Sequence, residues 1–260
     1  MVQKMKKFNA LVIDCESHFK SIHQSLIYQI GWVRGNIRIP HQFRRRTEYY
    51  VREFLPFRFW EHSFIKGDTR KFWKNDSRAH DVQRKAFANP DMVLSWNEIM
   101  EELKGEISEV DGIGSYNWGF DSKAIDITNR KINHSGFLQT IEHVPFCVMD
   151  MYANKIINQD YFRFIDTLNA EKLKLYKSKT GKNLGYTAQI MSRYINRDHY
   201  YEEAHTALAD SSMEFELAEK FVSRHWKSFE EDFLGKPKFV SWSAIRERHS
   251  SIKKMKKRIS

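Results

Sequence analysis

The stretch LVIDCES, residues 11–17, decides how this chain is read. Three apolar residues, Leu11, Val12 and Ile13, run straight into Asp14, Cys15 and Glu16. A short apolar run of this kind, FNALVID over 8–14, has the pattern of a strand buried on both faces. Side chains alternate between the two faces of a strand. Asp14 and Glu16 therefore point the same way at its end, while Cys15 points oppositely, into the packing. Two carboxylates side by side repel each other unless a cation or a proton lies between them. On its own, such a pair reads first as a strand end that reaches solvent.

Outward from this strand, SLIYQIGWVRG (25–35) and TEYYVREFLPF (47–57) read as second and third strands, the latter ended by Pro56. Short connections make the three an antiparallel meander. SRAHDVQRKAF (77–87) has helical character. SWNEIMEELKGEIS (95–108) is a clearer amphipathic helix, with Ser95 as N-cap, Glu98 completing a capping box, and Ile99, Leu103 and Ile107 at helical spacing. DGIGSYNW (111–118) is a short strand or loop, and GFDSKAIDITNRKI (119–132) begins a helix. VPFCVMDMY (144–152) reads as another buried strand with an acid near its end. Residues 153–195 are mostly helical, with a break at KTGKN (179–183). EEAHTALADSSMEFELAEKFVSRHW (202–226) contains a long helix whose core side carries Leu208, Phe215, Phe221, Val222 and Trp226. The predicted fold class is α/β: a mixed central sheet, meander first and parallel strands after, flanked by helices.

The chain has 260 residues, enough to bury a large core in one domain. The reading places that domain at 8–226, followed by a C-terminal extension, 227–260, that ends in the basic run IKKMKKRIS. The formal net charge of +10 fits a polyanionic partner, nucleic acid above all. The two cysteines, Cys15 and Cys147, form neither a CxxC nor a metal-binding spacing, which points to a reducing cytoplasm. The apolar run after the N-terminus is too short for a signal peptide, and no run long enough to span a membrane occurs.

Two more places hold acids that need a reason. In YNWGFDSKAI, Asp121 opens a helix, where capping alone would explain it. In EEAHTALADSS, His205 and Asp210 flank a helix start rich in alanine, whose small side chains let a backbone approach the sheet closely. Asp111, Asp126 and Asp150 read as caps or strand-end residues.

Taken together, D-x-E in IDCES, the Asp of NWGFD and the H-x-A-x-x-D of HTALAD resemble the DEDDh subgroup of DnaQ-type 3′–5′ exonucleases, which have an RNase H-like fold. The resemblance covers roughly residues 8–222. It departs from the family pattern at Ser17, where Thr is common, and in the long aromatic stretch 57–95. It implies that Asp14, Glu16, Asp121 and Asp210 hold two divalent ions, Mg²⁺ or Mn²⁺, whose hardness suits carboxylate oxygen. Such ion pairs lie ~3.5–4 Å apart and clamp the attacking and leaving oxygens. It further implies that His205 is the general base. Ser17, Asn117 and Phe120 would lie near the terminal nucleotide, although Phe120 also reads as core. The implied activity is metal-dependent hydrolysis of single-stranded nucleic acid from its 3′ end, DNA favoured over RNA, releasing nucleoside 5′-monophosphates. A non-catalytic nucleic-acid-binding module and a polymerase-associated proofreading subunit are the alternatives.

QFRRRTEYYVR (42–52) and FIKGDTRKFWK (64–74) interleave basic and aromatic residues. That suits single-strand tracking with base stacking, most of all at Lys66, Arg70 and Lys71. For 42–52, a guarded strand edge reads equally well.

Overall fold

The computed structural model describes residues 7–18, 26–39, 42, 44–55, 77–170 and 187–236. Lys66, Arg70 and Lys71, the break at 179–183, Pro56 and the basic C-terminal run lie outside the described residues.

The opening strand is β1 (Asn9–Ser17), and β2 (Ile27–Asn36) pairs with it antiparallel. Next comes β3 (Arg45–Val51), antiparallel to β2. Helix α1 (Ser77–Ala88) leads to β4 (Val93–Leu94) and α2 (Trp96–Ser108). Strand β5 (Gly112–Ser115) runs parallel to β1, and α3 (Trp118–Asn133) follows it. Strand β6 (Pro145–Cys147) is parallel to β5 and passes directly into α4 (Val148–Lys155). Helices α5 (Gln159–Ala170), α6 (Ala188–Asn196) and α7 (Ala207–Ser228) complete the described elements. Among the described residues the sheet has the order β4-β3-β2-β1-β5-β6. It is the expected mixed sheet, meander then parallel strands.

Its two faces carry two cores. Ala10, Val12 and Val33 face the layer of α4 to α7, whereas Leu11, Ile13, Cys15 and Trp32 face α1, α2 and α3. Alternation along β1 thus sends Asp14 and Glu16 toward α7 and Cys15 to the far side, as the pattern of LVIDCES required. Both cysteines are free and buried. Ser95 caps α2 in a reciprocal capping box with Glu98, and Ile99, Leu103 and Ile107 are buried beneath.

Three expectations need correction. The third strand ends at Val51 and turns through a single 3-10 turn, Arg52–Phe54, instead of running to residue 57. The stretch 144–152 is strand only over Pro145–Cys147, and Asp150 therefore sits in the first turn of α4, fully buried. Short apolar runs carry no period that separates strand from buried helix, so packing decides between them. Strand β4, two residues long and parallel to β3, was missed, since two residues form no pattern. The core also continues past residue 226. Phe229 packs edge-on against Phe8 at 5.3 Å and Phe146 at 5.6 Å, and Phe233 against Phe221 at 5.8 Å.

Most of the basic side chains described in 42–52 tie helices to the sheet. Arg44 reaches Glu219 of α7 at 2.9 Å and lies over the Phe215 ring. Arg45 reaches Glu106 of α2 at 2.9 Å, and Arg52 reaches Glu98 at 3.4 Å.

Gly31 of β2 sets how closely α7 approaches. It lies opposite Asp14 in the sheet. A Cβ there would stand 2.6 Å from both the Ala207 carbonyl carbon and the Leu208 nitrogen. The first turn of α7 rests directly on this glycine, with Ala207 buried against it. Gly31→Ala should therefore push α7 off the sheet at a cost of about 1–3 kcal/mol. Gly105→Ala, on the exposed face of α2 with nothing within 4 Å, should leave stability unchanged or raise it. Thermal melts of the two variants check this. A melt of Gly31→Ala that matches the parent would show that α7 does not rest on the glycine.

Candidate metal centre

The carboxyl ends of β1, β5 and β6 open at the same edge of the sheet, the place where open α/β sheets bind ligands. Asp14 and Glu16 lie there on β1, both half-buried. Asp210, in the first turn of α7, comes down beside them because Gly31 lets the helix in. One carboxylate oxygen from each of Asp14, Glu16 and Asp210 lies within 4.8 Å of the others. Asp121 enters from the first turn of α3, buried, and its Oδ2 accepts a 2.7 Å hydrogen bond from the Ser115 hydroxyl at the end of β5.

Every charged group among the principal influences on Asp14, Asp121 and Asp210 is another acid. Burial pushes Asp14 well above the ordinary carboxylate range, and Glu214, Asp121, Glu16 and Asp210 push it further. Burial raises Asp121 to about 7, against hydrogen bonds from Ser115 and from backbone N–H groups. Asp210 is raised to about 8 by burial first and then by Glu203, Glu16 and Glu48. Its Oδ1 is buried and accepts no hydrogen bond among the described residues. Converging carboxylate oxygens are the donor set a hard divalent cation requires. The residues present fit such an ion.

Other sequence-derived candidates fall around this centre. Ser17 lies half-buried at the end of β1, just past a shift in register after Glu16. Asn117 is the exposed N-cap residue of α3, and Phe120 is half-buried in its first turn. His205 stands at φ 50° in the connection before α7, with 57% of its side chain exposed and its Nδ1 3.8 Å from Glu203 Oε2. It is not among the three converging acids. Asp111 accepts from the Asn9 N–H at 2.8 Å at the start of β1. Asp126 accepts from the N–H groups of Phe137 and Leu138. Asp111 thus lies at a strand end as expected, whereas Asp126 lies mid-helix in α3 and anchors the segment that follows that helix.

Three acids escaped sequence reasoning. Glu214 is buried one helical turn beyond Asp210, and its Oε2 accepts from the Tyr116 N–H at 2.9 Å. Burial, then Asp121, holds its carboxyl well above the usual range. The i,i+4 spacing to Asp210 in ADSSME was the available signal. Glu48 of β3 accepts from the Leu208 N–H at 3.1 Å and so anchors the start of α7. Glu203 is the third, beside His205.

No family model matches the chain, and no curated protein does. Solved structures do. E. coli exonuclease I in complex with a 5cy-dT13 oligonucleotide aligns over 86% of this chain and 42% of its own, at 10% identity and a TM-score of 0.52. The fold is RNase H-like. The same enzyme with a dA16 oligonucleotide aligns over 86% of this chain and 42% of its own, at 13% identity and a TM-score of 0.49. A full-length 3′-exonuclease aligns over 85% of this chain and 84% of its own, at 12% identity and a TM-score of 0.45. The chain spans less than half the length of the exonuclease I chains it resembles. At these identities the likeness is one of fold.

The raised acids make stability depend on pH. Asp121 and Asp210 ordinarily titrate near 3.8 but reach about 7 and about 8 in the folded chain. Between those values the folded state binds more protons than the unfolded chain, so stability falls as pH rises. In EDTA the melting temperature should fall from about pH 5 to about pH 8, and saturating Mn²⁺ should remove much of that fall. Asp210→Asn should melt higher than the parent in EDTA at the upper pH and gain less from Mn²⁺. Melting curves across pH, with and without the ion, measure this. A flat profile in EDTA would contradict the buried charges.

Proposed function

We propose that this chain is a metal-dependent 3′–5′ exonuclease that hydrolyses single-stranded nucleic acid from its 3′ end. DNA is the favoured substrate, and nucleoside 5′-monophosphates are the product. The observation that carries the reading is the convergence of Asp14, Glu16 and Asp210, the last of which also has a buried oxygen with no hydrogen-bond partner among the described residues. An anionic centre of this kind repels a phosphate by itself and draws one in only through bound cations. The RNase H-like fold, with exonuclease I among its solved neighbours, supports the nuclease class. The DNA oligonucleotide held by that neighbour agrees with placing DNA first.

In this reading Asp14, Glu16 and Asp210 hold the ions, with Asp121 completing the set. Two bound Mg²⁺ or Mn²⁺ ions would neutralise the phosphate and lower the cost of charge on the attacking and leaving oxygens. His205, exposed in the connection before α7, is the group that accepts the proton of the attacking water at a ring nitrogen in this reading. The water oxygen bonds to phosphorus, the bond from phosphorus to the upstream 3′ oxygen breaks, and that oxygen leaves with a proton. Ser17, Asn117 and Phe120 border the terminal nucleotide, and Lys66, Arg70 and Lys71 track the strand behind it. The chain works in a reducing cytoplasm. Among the described residues no helix is long and apolar enough to cross a membrane.

Degradation of 5′-labelled single-stranded DNA and RNA tests this. A ladder that shortens from the 3′ end should appear with Mg²⁺ or Mn²⁺, vanish in EDTA, and be absent for Asp14→Ala. His205→Ala should lose about 10²–10⁴-fold in turnover while its Mn²⁺ affinity is kept. Full activity after rigorous chelation would overturn the reading. Near-parental turnover of His205→Ala would remove the histidine from it.

A further inference from the structure

Glu214 has a bond that the centre as described does not use. Its side chain lies on the same face of α7 as Asp210, four residues on. It is buried at 5% exposure, where an acid is costly unless it is bonded. Its Oε2 accepts from the N–H of Tyr116 at 2.9 Å. Tyr116 is the first residue after β5. On one side of it Ser115 donates to the Asp121 carboxylate, and on the other Asn117 is the N-cap of the helix that carries Asp121. The Tyr116 carbonyl accepts from the Met149 N–H at 2.8 Å and from the Cys147 thiol at 3.3 Å. The backbone of Tyr116 is thus fixed to α4 and β6 through its carbonyl and to α7 through its N–H.

We infer that Glu214 is a positioning residue of the metal centre. By holding the Tyr116 N–H it locks the β5–α3 turn onto α7, and so sets Asp121 against Asp210. The inference rests on the metal-centre reading above. Asp210 and Glu214 sit one turn apart on a single helix, so a turn bonded to Glu214 is held in register with Asp210. The function required of Glu214 is an acceptor oxygen at one place, and a glutamine can supply it. The neighbouring acids also feel its charge, since Glu214 is the foremost charged neighbour of Asp14. Strut and charge are separable by substitution.

The test is Mn²⁺ affinity of the full chain, read by paramagnetic resonance of free Mn²⁺ and by the Mn²⁺-induced shift in melting temperature, with turnover as a second readout. Glu214→Gln keeps an acceptor and should bind Mn²⁺ within about threefold of the parent. Glu214→Ala and the volume-conserving Glu214→Leu should lose about 10–100-fold in affinity, the usual cost of removing a group that orients metal ligands. Rescue by glutamine alone is the result expected of a strut. Parental Mn²⁺ affinity in the alanine and leucine variants overturns the proposal. So does an equal loss in all three, which would assign Glu214 to charge, or failure of both apolar variants to fold, which would assign it to the core. Asp14→Ala is the control for the centre itself. If that variant binds Mn²⁺ like the parent, the metal-centre reading fails, whatever Glu214 does.

Discussion

Like charges held close together inside a protein repel strongly, because little water remains to screen them. Asp14, Asp121, Asp210 and Glu214 are gathered in this way, and the fold around them is arranged to make the gathering possible. A glycine opposite Asp14 lets a helix rest on the sheet at backbone distance. Glu48 catches the start of that helix, and Arg44 ties it to the sheet again near its middle through Glu219. On the far side of the sheet, Arg34 and Arg45 bind the buried Glu106 and fix α2. Elsewhere in the core the buried Glu106 and Glu219 are each paired with an arginine.

The parts of this arrangement that were legible in the sequence are those with local causes. The alternation in LVIDCES gives the shared face of Asp14 and Glu16 outright, since it depends only on the period of a strand. The capping box of Ser95 and Glu98 is legible for a similar reason, being a contact across three residues. Small residues around Asp210 correctly signalled a close approach of backbone to sheet. The partner in that approach, Gly31, is 176 positions away from Ala207, and nothing in either segment names the other.

What escaped depends on neighbours distant in the chain. β4 exists because β3 offers it an edge. The switch from β6 to α4 at Val148 is set by Met149 bonding to the Tyr116 carbonyl, a contact from another strand. The basic run at 42–52 read equally as a nucleic-acid track or a guarded edge, and Arg44 and Arg45 instead hold helices through acids more than 60 residues away. Glu214 was hidden in plain sight among ordinary helix formers. A glutamate in an amphipathic helix is expected on the solvent side, and only the packing of α7 shows that this one faces inward.

The positions of the acids also explain how the folded chain tolerates them. Asp121 and Asp210 each occupy the first turn of a helix, where exposed N–H groups and the helix dipole favour negative charge. Asp210 and Asp121 both accept backbone N–H bonds that lower their pKa values, though burial outweighs them. Asp14 has no such helix end and is raised well above its ordinary range. Burial and mutual repulsion thus raise acids on the strand and on the helices alike, Asp14 and Glu214 well above the ordinary range, Asp121 to about 7 and Asp210 to about 8. A cation bound among them would relieve that repulsion on all of these elements at once.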